Sequence, residues 1–423
     1  MAKSNTTRRA VVAGIAATGA VSTLPGGMVA AAQSKGTEGP GPKRAWDVIV
    51  VGAGVFGAWT ATQLQRAGKK VLLVDGRGPA SVRASSGGET RLIRSDYGAD
   101  AIYTKMSTAS LVEWKKLSAD AGLPLFHQTG ILFFFNEMVD YARASIETHQ
   151  RLKLPLEVLD AAALKKGFPQ FDFTDIEFGL YEVGFGVLMA RRSVIQLVER
   201  FVSAGGTFRQ AEASGPLEDG HSLRVNGRAE TADTIVYACG PWMERLFPTL
   251  LAPRLFITRQ ELAFVAPPAG NSSFAHGSLP AWADYNGGDL FYGAPDIEGR
   301  GFKIANDKHG PAINPDTEER HASQATYSKL RQYLEMRFPG LKGAPFVGER
   351  VCQYTNSSNG DFLIDRHPEF KNIILVGAGS GHGFKHGPEV GRHAATLALD
   401  EGAATEPRFS LATKATIQNR TVL

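Results

Sequence analysis

Apolar and polar positions along the chain follow two rhythms. Residues 47–51, apolar and β-branched after Asp47, and the apolar run 71–74 have the pattern of strands buried on both faces. Between them residues 58–67 keep helical spacing, and Gly68 stops the helix. Further helices are expected over 104–121, 192–204 and 388–399, and further strands over 129–135, 234–238 and 372–376. Residues 183–189 lead into the second of these helices. Residues 255–265 and 289–305 instead alternate apolar with polar, as antiparallel strands with one wet face do. The expected fold is α/β: a Rossmann-like nucleotide domain assembled from discontinuous segments, with β-sheet-rich segments inserted between them. No internal repeat appears.

The turn between the first strand and helix carries Gly52, Gly54 and Gly57 in a G-x-G-x-x-G arrangement. The first glycine permits a tight turn, the second lets backbone approach a pyrophosphate, and the third allows close packing behind it. The helix N-terminus then offers amide N–H groups and a partial positive charge to the phosphates. Asp75 ends the second strand 18 residues after Gly57, where an acid takes a ribose hydroxyl. This strand–turn–helix–strand–acid context predicts a dinucleotide but does not choose between FAD and NAD.

A second strand-to-glycine turn follows residues 372–376, with Gly377, Gly379, Gly381 and Gly383 ahead of the last helix. It would bring backbone donors to another part of the same ligand. His382 and His386 are four apart but have no third ligand suitably placed, so satisfied or backbone-anchoring histidines fit better than a metal. Ser86 and Glu89 have capping-box spacing. Arg91 and Arg94 share a face if helical and oppose each other if extended. Flanking Leu92 and Ile93, they form either an anion site beside an apolar wall or a surface basic pair.

At 423 residues the chain exceeds one simple domain. A net charge of +4 over 46 basic and 42 acidic residues is too mild and even to indicate nucleic acid or a membrane surface. Two cysteines, Cys239 and Cys352, exclude a disulfide framework and a cysteine metal cluster, and by count leave one disulfide between them open. The amino terminus differs from the rest. Arg8-Arg9 precedes a small apolar run over 11–24, and Ala30-Ala31-Ala32 offers a cleavage site. This pattern predicts a twin-arginine export signal over 1–32 and a linker over 33–45, hence a periplasmic or secreted bacterial protein handled by the twin-arginine machinery.

Three blocks together resemble a known family: VGAGVFGAWTATQLQRAGKKVLLVD from residue 51, GGETRLIRSDYG from residue 87, and CQYTNSSNGDFLIDRHPEFKNIILVGAGSGHGFKHGPEVG from residue 352. The chain resembles the FAD-dependent D-amino-acid-oxidase superfamily, in the branch of monomeric sarcosine oxidase, N-methyltryptophan oxidase and pipecolate oxidase. The resemblance implies an FAD-binding domain over 46–122, 186–252 and 352–402, a substrate domain over 123–185 and 253–351, and a tail over 403–423. It implies FAD bound covalently through Cys352, the cysteine of the C-x-Y-T motif, and leaves Cys239 as a small packed residue. The implied cofactor set is Gly52, Gly54, Val55, Phe56, Gly57, Asp75, Gly76, Arg77, Ser85, Ser86, Thr90, Arg91, Gly240, Trp242, Cys352, Tyr354, Gly381, His382, Gly383, Phe384 and Lys385. By the same resemblance Arg94 and Lys385 bind a substrate carboxylate, Arg91 lies beside the flavin, and Tyr354 and Tyr292 wall the pocket. Lys303, 11 residues after Tyr292, matches the lysine that assists dioxygen. Two positions depart from the pattern: Asp307 and Gly87 replace histidines.

The implied activity is oxidation of an amino acid with a secondary amine, N-methyl or cyclic. Hydride passes to FAD, and O2 is then reduced to hydrogen peroxide by a protein expected to act as a monomer. Asp307 would favour a second cationic group or a larger amine. A dehydrogenase using a quinone or protein acceptor is the second reading, separated from the first by peroxide yield in air. A flavin-binding protein without turnover is the third, and the joint presence of Arg94, Lys303 and Lys385 argues against it.

Overall fold

The computed structural model of the chain describes residues 44–286 and 289–419. The expected export signal and residues 33–43 of the expected linker lie outside the described residues. Arg44 and Ala45, the last two linker positions, are already tied to the fold. Arg44 pairs with Asp233 at 2.8 Å, and the Ala45 N–H donates to Thr231 Oγ1.

Among the described residues the strands form two eight-stranded sheets and a three-stranded one. In the first sheet, Thr207–Gln210, Val71–Asp75, Trp46–Val51, the C-terminal part of Arg228–Tyr237 and Ile373–Gly377 lie parallel in that order. Leu363–Arg366 adds an antiparallel edge. The apolar runs are there because both faces are covered. Val48 and Val50 face helices Val55–Arg66, Ala190–Ser203 and Gly387–Leu399, whereas Ile49 and Val51 face a cluster around Met243, Phe247 and Leu251.

The two helices that follow the glycine turns pack directly on each other. Gly387 and Gly391 lie one turn apart on the face of the last helix that meets Trp59. A Cβ at Gly391 would sit 2.7 Å from the Trp59 carbonyl carbon, and one at Gly387 would sit 2.6 Å from Val55. This close approach sets the two helix N-termini side by side over one edge of the sheet.

The second sheet runs Phe346–Asn356, Phe256–Val265, Phe302–Asn306, Phe291–Ala294, Ala281–Asp284, Ile131–Phe135, Phe178–Glu182, Glu157–Asp160. Its period of two divides the labour. Phe302, Ile304, Ala263, Val265, Phe291 and Trp282 pack against helix Gln324–Arg337. Lys303, Ala305 and Tyr292, with Leu262, Phe264 and Cys352, occupy the opposite face. Residues 289–305, expected as strand, form a hairpin of two strands with a loop between. The domain boundary expected at residue 352 falls inside the strand Phe346–Asn356, which stays paired to Phe256–Val265 throughout. The described part of the expected tail packs on the fold: Phe409 is fully buried, and Arg408 binds Asp361 and Asp100.

Gly391→Val would overpack the helix–helix contact and cost about 1–3 kcal/mol. Urea denaturation should show that loss, and the ratio of flavin to protein absorbance should fall because the paired helix N-termini separate.

Candidate active site

A cavity of about 360 Å³ runs between the two glycine turns. Gly52, Gly54, Val55 and Phe56 wall one side, and Gly379, Gly381, Gly383 and Phe384 the other. Gly52 takes φ +104°, and a Cβ there would come within 2.4 Å of the Ala238 carbonyl oxygen. Gly57 does not line the cavity. Its Cβ would strike the Gly52 carbonyl, so it seats the helix on the turn. Gly381 takes φ +82° and leaves room for the Tyr354 ring, which a Cβ would meet at 2.6 Å.

Ser86 caps a helix, but not the one its spacing predicts. No helix follows it, because residues 90–93 extend into the strand Thr90–Ile93. Its Oγ accepts the Val55 N–H at 3.0 Å, at the start of the first helix, whose N-cap Gly54 has no side chain to do so. Glu89 pairs instead with Arg300 and Arg350. Asp75 accepts N–H groups from Ala53 and Arg77, both at 2.8 Å, which braces the turn. Burial raises its pKa despite those two donors.

Arg77 and Trp242 reach the cavity mouth. Asp316, from the segment joining Phe302–Asn306 to the next helix, receives Arg77 Nη2 at 2.5 Å, Trp242 Nε1 at 2.8 Å and the Arg245 guanidinium. Arg77 also stacks 4.9 Å from the Trp242 ring. The inserted sheet domain thus clasps the nucleotide domain across the cavity. Gly76 lies against Glu212, Gly240 lines the wall in a left-handed turn, and the Ser85 hydroxyl donates to the Gln353 carbonyl.

Arg91, Cys352, Tyr354, Gly381 and Phe384 line both this cavity and a smaller one of about 100 Å³. Arg91 is fixed by the Thr90 and Ser85 carbonyls, at 2.8 and 2.9 Å, and holds Nη2 4.0 Å from Cys352 Sγ. The two cysteines are free and unbridged. Cys239 donates to the Val51 carbonyl, and burial pushes its thiol well above its ordinary range, so it stays an uncharged packing residue.

The smaller cavity gathers Arg94, Lys385, Lys303, Tyr292, Tyr354 and Asp307. Extended backbone settles the open question of Arg91 and Arg94. Arg91 sits in the strand Thr90–Ile93 and Arg94 just past its end, and both line this cavity. Arg94 is buried 4.1 Å from the Tyr97 ring. Burial opposes its charge, but Tyr285, Tyr97, Tyr141 and Asp96 outweigh it and hold the pKa up. Lys385 Nζ donates to Tyr97 Oη at 2.8 Å and to the His382 carbonyl at 2.9 Å. Lys303 Nζ donates to the Thr90 carbonyl at 3.2 Å, and burial followed by the Arg91 charge lowers its pKa to about 7. Tyr354 donates to Asp307 at 2.8 Å, and burial then Asp307 hold its phenol protonated well above the ordinary range.

Thr90, His382 and Lys385, expected at the cofactor, do not line the larger cavity. His382 and Lys385 border the smaller one, and Thr90 contributes its carbonyl. His382 and His386 both face the Tyr97 hydroxyl. Tyr97, Tyr285 and Asp316 were missed. Tyr97 stands three residues past Arg94 within the SDYG run, a signal that was legible; Asp316 lies in a loop with no pattern to mark it.

The residues fit FAD. The turn at 52–57 and its helix N-terminus would hold the pyrophosphate, Asp75 a ribose, and Arg91 and Cys352 the ring. Gly52, Gly54, Gly379, Gly381 and Gly383 line the cradle with backbone alone, and Thr90 Oγ1 is buried with no hydrogen-bond partner, an atom suited to a polar ring edge.

Comparison with known proteins agrees. The FAD dependent oxidoreductase family matches residues 47–397. The peroxisomal sarcosine oxidase of Mus musculus is 31% identical over 360 residues, covering 82% of this chain and 90% of that one. The N-methyl-L-tryptophan oxidase of Citrobacter koseri is 28% identical over 372 residues, 86% of this chain and 97% of its own. In fold the chain is similar to the L-proline dehydrogenase of P. horikoshii, with a TM-score of 0.74 at 19% identity over 86% of this chain and 96% of that one. With family, fold and cradle in accord, the chain belongs to the FAD dependent oxidoreductases, as a sarcosine oxidase-like flavoenzyme.

Proposed function

We propose that this FAD-dependent amino-acid oxidase acts on amino acids whose nitrogen is secondary, N-methylated or cyclic, with dioxygen as electron acceptor and hydrogen peroxide as product. One observation carries the reading. Two basic side chains, Arg94 and Lys385, are buried together in a small cavity that opens onto the ring end of the cofactor cradle. A buried guanidinium beside a second basic group calls for an anion, and a carboxylate is the anion an amino acid brings.

FAD, when bound, supplies a hydride acceptor and passes the electrons on. The chain's own residues do the rest. Arg94 keeps its charge and fixes the carboxylate, which orients the neighbouring carbon–nitrogen bond. Tyr292 and Tyr354 wall the site and exclude water, and a desolvated amine loses its proton more readily. Asp307, held by Tyr354, presents its carboxylate to the amine side and favours substrates with a second cationic group. Lys303, on the sheet face turned to the site, offers a preorganised positive charge to the negative charge developing on dioxygen. Cys352 carries the covalent link, with its sulfur where the two cavities join. Export as a monomer through the twin-arginine route, on the strength of Arg8-Arg9, completes the proposal. An anaerobic screen of N-methyl, cyclic and primary amino acids tests the substrate class, read as loss of flavin absorbance. Bleaching by primary amino acids alone would overturn it.

Lys303→Met should slow reoxidation by dioxygen roughly 100- to 1,000-fold while substrate still bleaches the flavin at near wild-type rate. Because the Lys303 pKa is lowered to about 7, its ammonium is lost as pH rises through that value. The wild-type reoxidation rate should therefore fall from pH 6 to pH 8 by up to about 10-fold, and the variant should show no such slope. Stopped-flow mixing of reduced enzyme with oxygenated buffer checks both. Acid-precipitated protein should keep its yellow colour in the pellet, and Cys352→Ser should release it to the supernatant.

A further inference from the structure

The hydrogen bonds around Tyr97 fix where the protons are. His382 Nε2 lies 3.0 Å from the Gly360 carbonyl, which can only accept, so that nitrogen carries the hydrogen. In the neutral ring Nδ1 is then bare, and the hydroxyl facing it, Tyr97 Oη at 3.1 Å, gives it the single phenol proton. His386 Nε2, 2.7 Å from the same oxygen, must therefore donate, and so must Lys385 Nζ at 2.8 Å. The second partner of Lys385, the His382 carbonyl at 2.9 Å, also only accepts. Two of the three non-carbon positions on Nζ are thus committed N–H bonds. The remaining position is an N–H in the ammonium and a lone pair in the amine, and Lys385 lines the substrate cavity. Trp114 Nε1 pins the Lys385 carbonyl at 2.7 Å, so the arrangement is rigidly seated.

We propose that Lys385 rests as a neutral amine in the substrate-free site and takes up the proton that the substrate's ammonium must lose before oxidation. This rests on the carboxylate-binding reading above. The substrate N–H bond breaks, an Nζ–H bond forms, and the electron pair stays on the substrate nitrogen. No other reactant is needed. A zwitterion thereby becomes a neutral amine whose carboxylate is paired with a newly formed ammonium. The two groups are two bonds apart on the same molecule, so the residue that grips the acid is within reach of the amine.

The surroundings agree with a neutral resting state. Burial, then the Arg94 charge, push the Lys385 pKa well below the ordinary lysine value, while Asp307 and Glu182 pull the other way and do not prevail. His386, fully buried, is held neutral by burial first and by the Arg94 charge after it. Tyr97 shares its one proton with His382. Among the facing groups Arg94 is the permanent cation, and Lys385 is the one with a third Nζ position beside the substrate cavity that is either N–H or lone pair. A neutral Lys385 also relieves the repulsion that two buried cations would otherwise impose on the empty site.

Propionate, a carboxylate with no amine, separates this proposal from the one beneath it. Holoenzyme in weak buffer near neutral pH is titrated with propionate, with binding followed by flavin absorbance and proton uptake by an indicator dye. Each bound propionate should draw about one proton from solution, since Lys385 must charge to meet it. Lys385→Arg, permanently charged, should bind propionate within roughly 10-fold of wild type with almost no uptake. Its kcat/KM for an amine substrate should lose its acid limb to higher pH, towards the free amine's own ionisation. Propionate binding to wild type without uptake would overturn the proposal, as would uptake that persists in Lys385→Arg, which would point to Lys303. No propionate binding at all would overturn the carboxylate anchor itself, and this proposal with it.

Discussion

Like charges crowded out of water are the constraint around which this molecule is arranged. Arg91, Arg94, Lys303 and Lys385 all border one cavity of about 100 Å³. Burying an unpaired ion costs on the order of several kcal/mol, so four basic groups around one small recess cannot all simply carry charge, even with Asp307 and Glu261 on its wall. The fold meets the cost in separate ways. Arg91 is spread over two carbonyls, and Arg94 lies against the Tyr97 ring with Tyr285, Tyr141 and Asp96 near enough to favour its charge. Each lysine donates to a backbone carbonyl while its affinity for a proton falls. What remains is a site whose charge is best balanced by an incoming anion, and that imbalance is what selects the ligand.

The scaffold that permits this is the division of the second sheet into two faces. Strand Phe302–Asn306 sends Phe302 and Ile304 into a core closed by helix Gln324–Arg337, and by the same alternation sends Lys303 to the other side. The wall bearing Cys352 and Tyr354 follows from the same parity in the longest strand of the sheet. A slip of one residue in either pairing would exchange core for site, so the apolar side chains on the far face hold the chemistry in register.

Much of this was legible in the residues themselves. The first glycine turn announced its strand, helix and terminal acid because each of those parts has its own local signature, and the second glycine turn repeated the strand and glycines. The central parallel strands were readable as unbroken apolar runs because both of their faces are covered. Three things were not. Ser86 has the spacing of a local cap yet serves a helix begun thirty-one residues earlier, since spacing says nothing about partners distant in sequence. The boundary at residue 352 was drawn through a strand, because the nucleotide domain's second glycine turn follows that strand in the chain although the strand belongs to the other sheet. The clasp at Asp316 left no mark, as a loop acid with three donors from another domain resembles any surface carboxylate. Lys303 and Lys385 were assigned by family likeness. Composition offered nothing to distinguish them from the lysines at the surface.

The walls of the larger cavity come from stretches far apart in the chain: from Val51 to Arg91, from Ala211 to Leu246 with Asp316, and from Cys352 to Phe384. A ribosome therefore cannot deliver this cradle piecemeal. The first glycine turn emerges early and waits, half a site with its amides exposed, through the synthesis of an entire intervening sheet. Only when the closing glycines appear can the long loop between them be shut, and contacts so distant in sequence form late and slowly. Cofactor capture is for that reason an event of the finished polypeptide, and a chain cut short before its last helix holds no flavin, however well its opening motif is made.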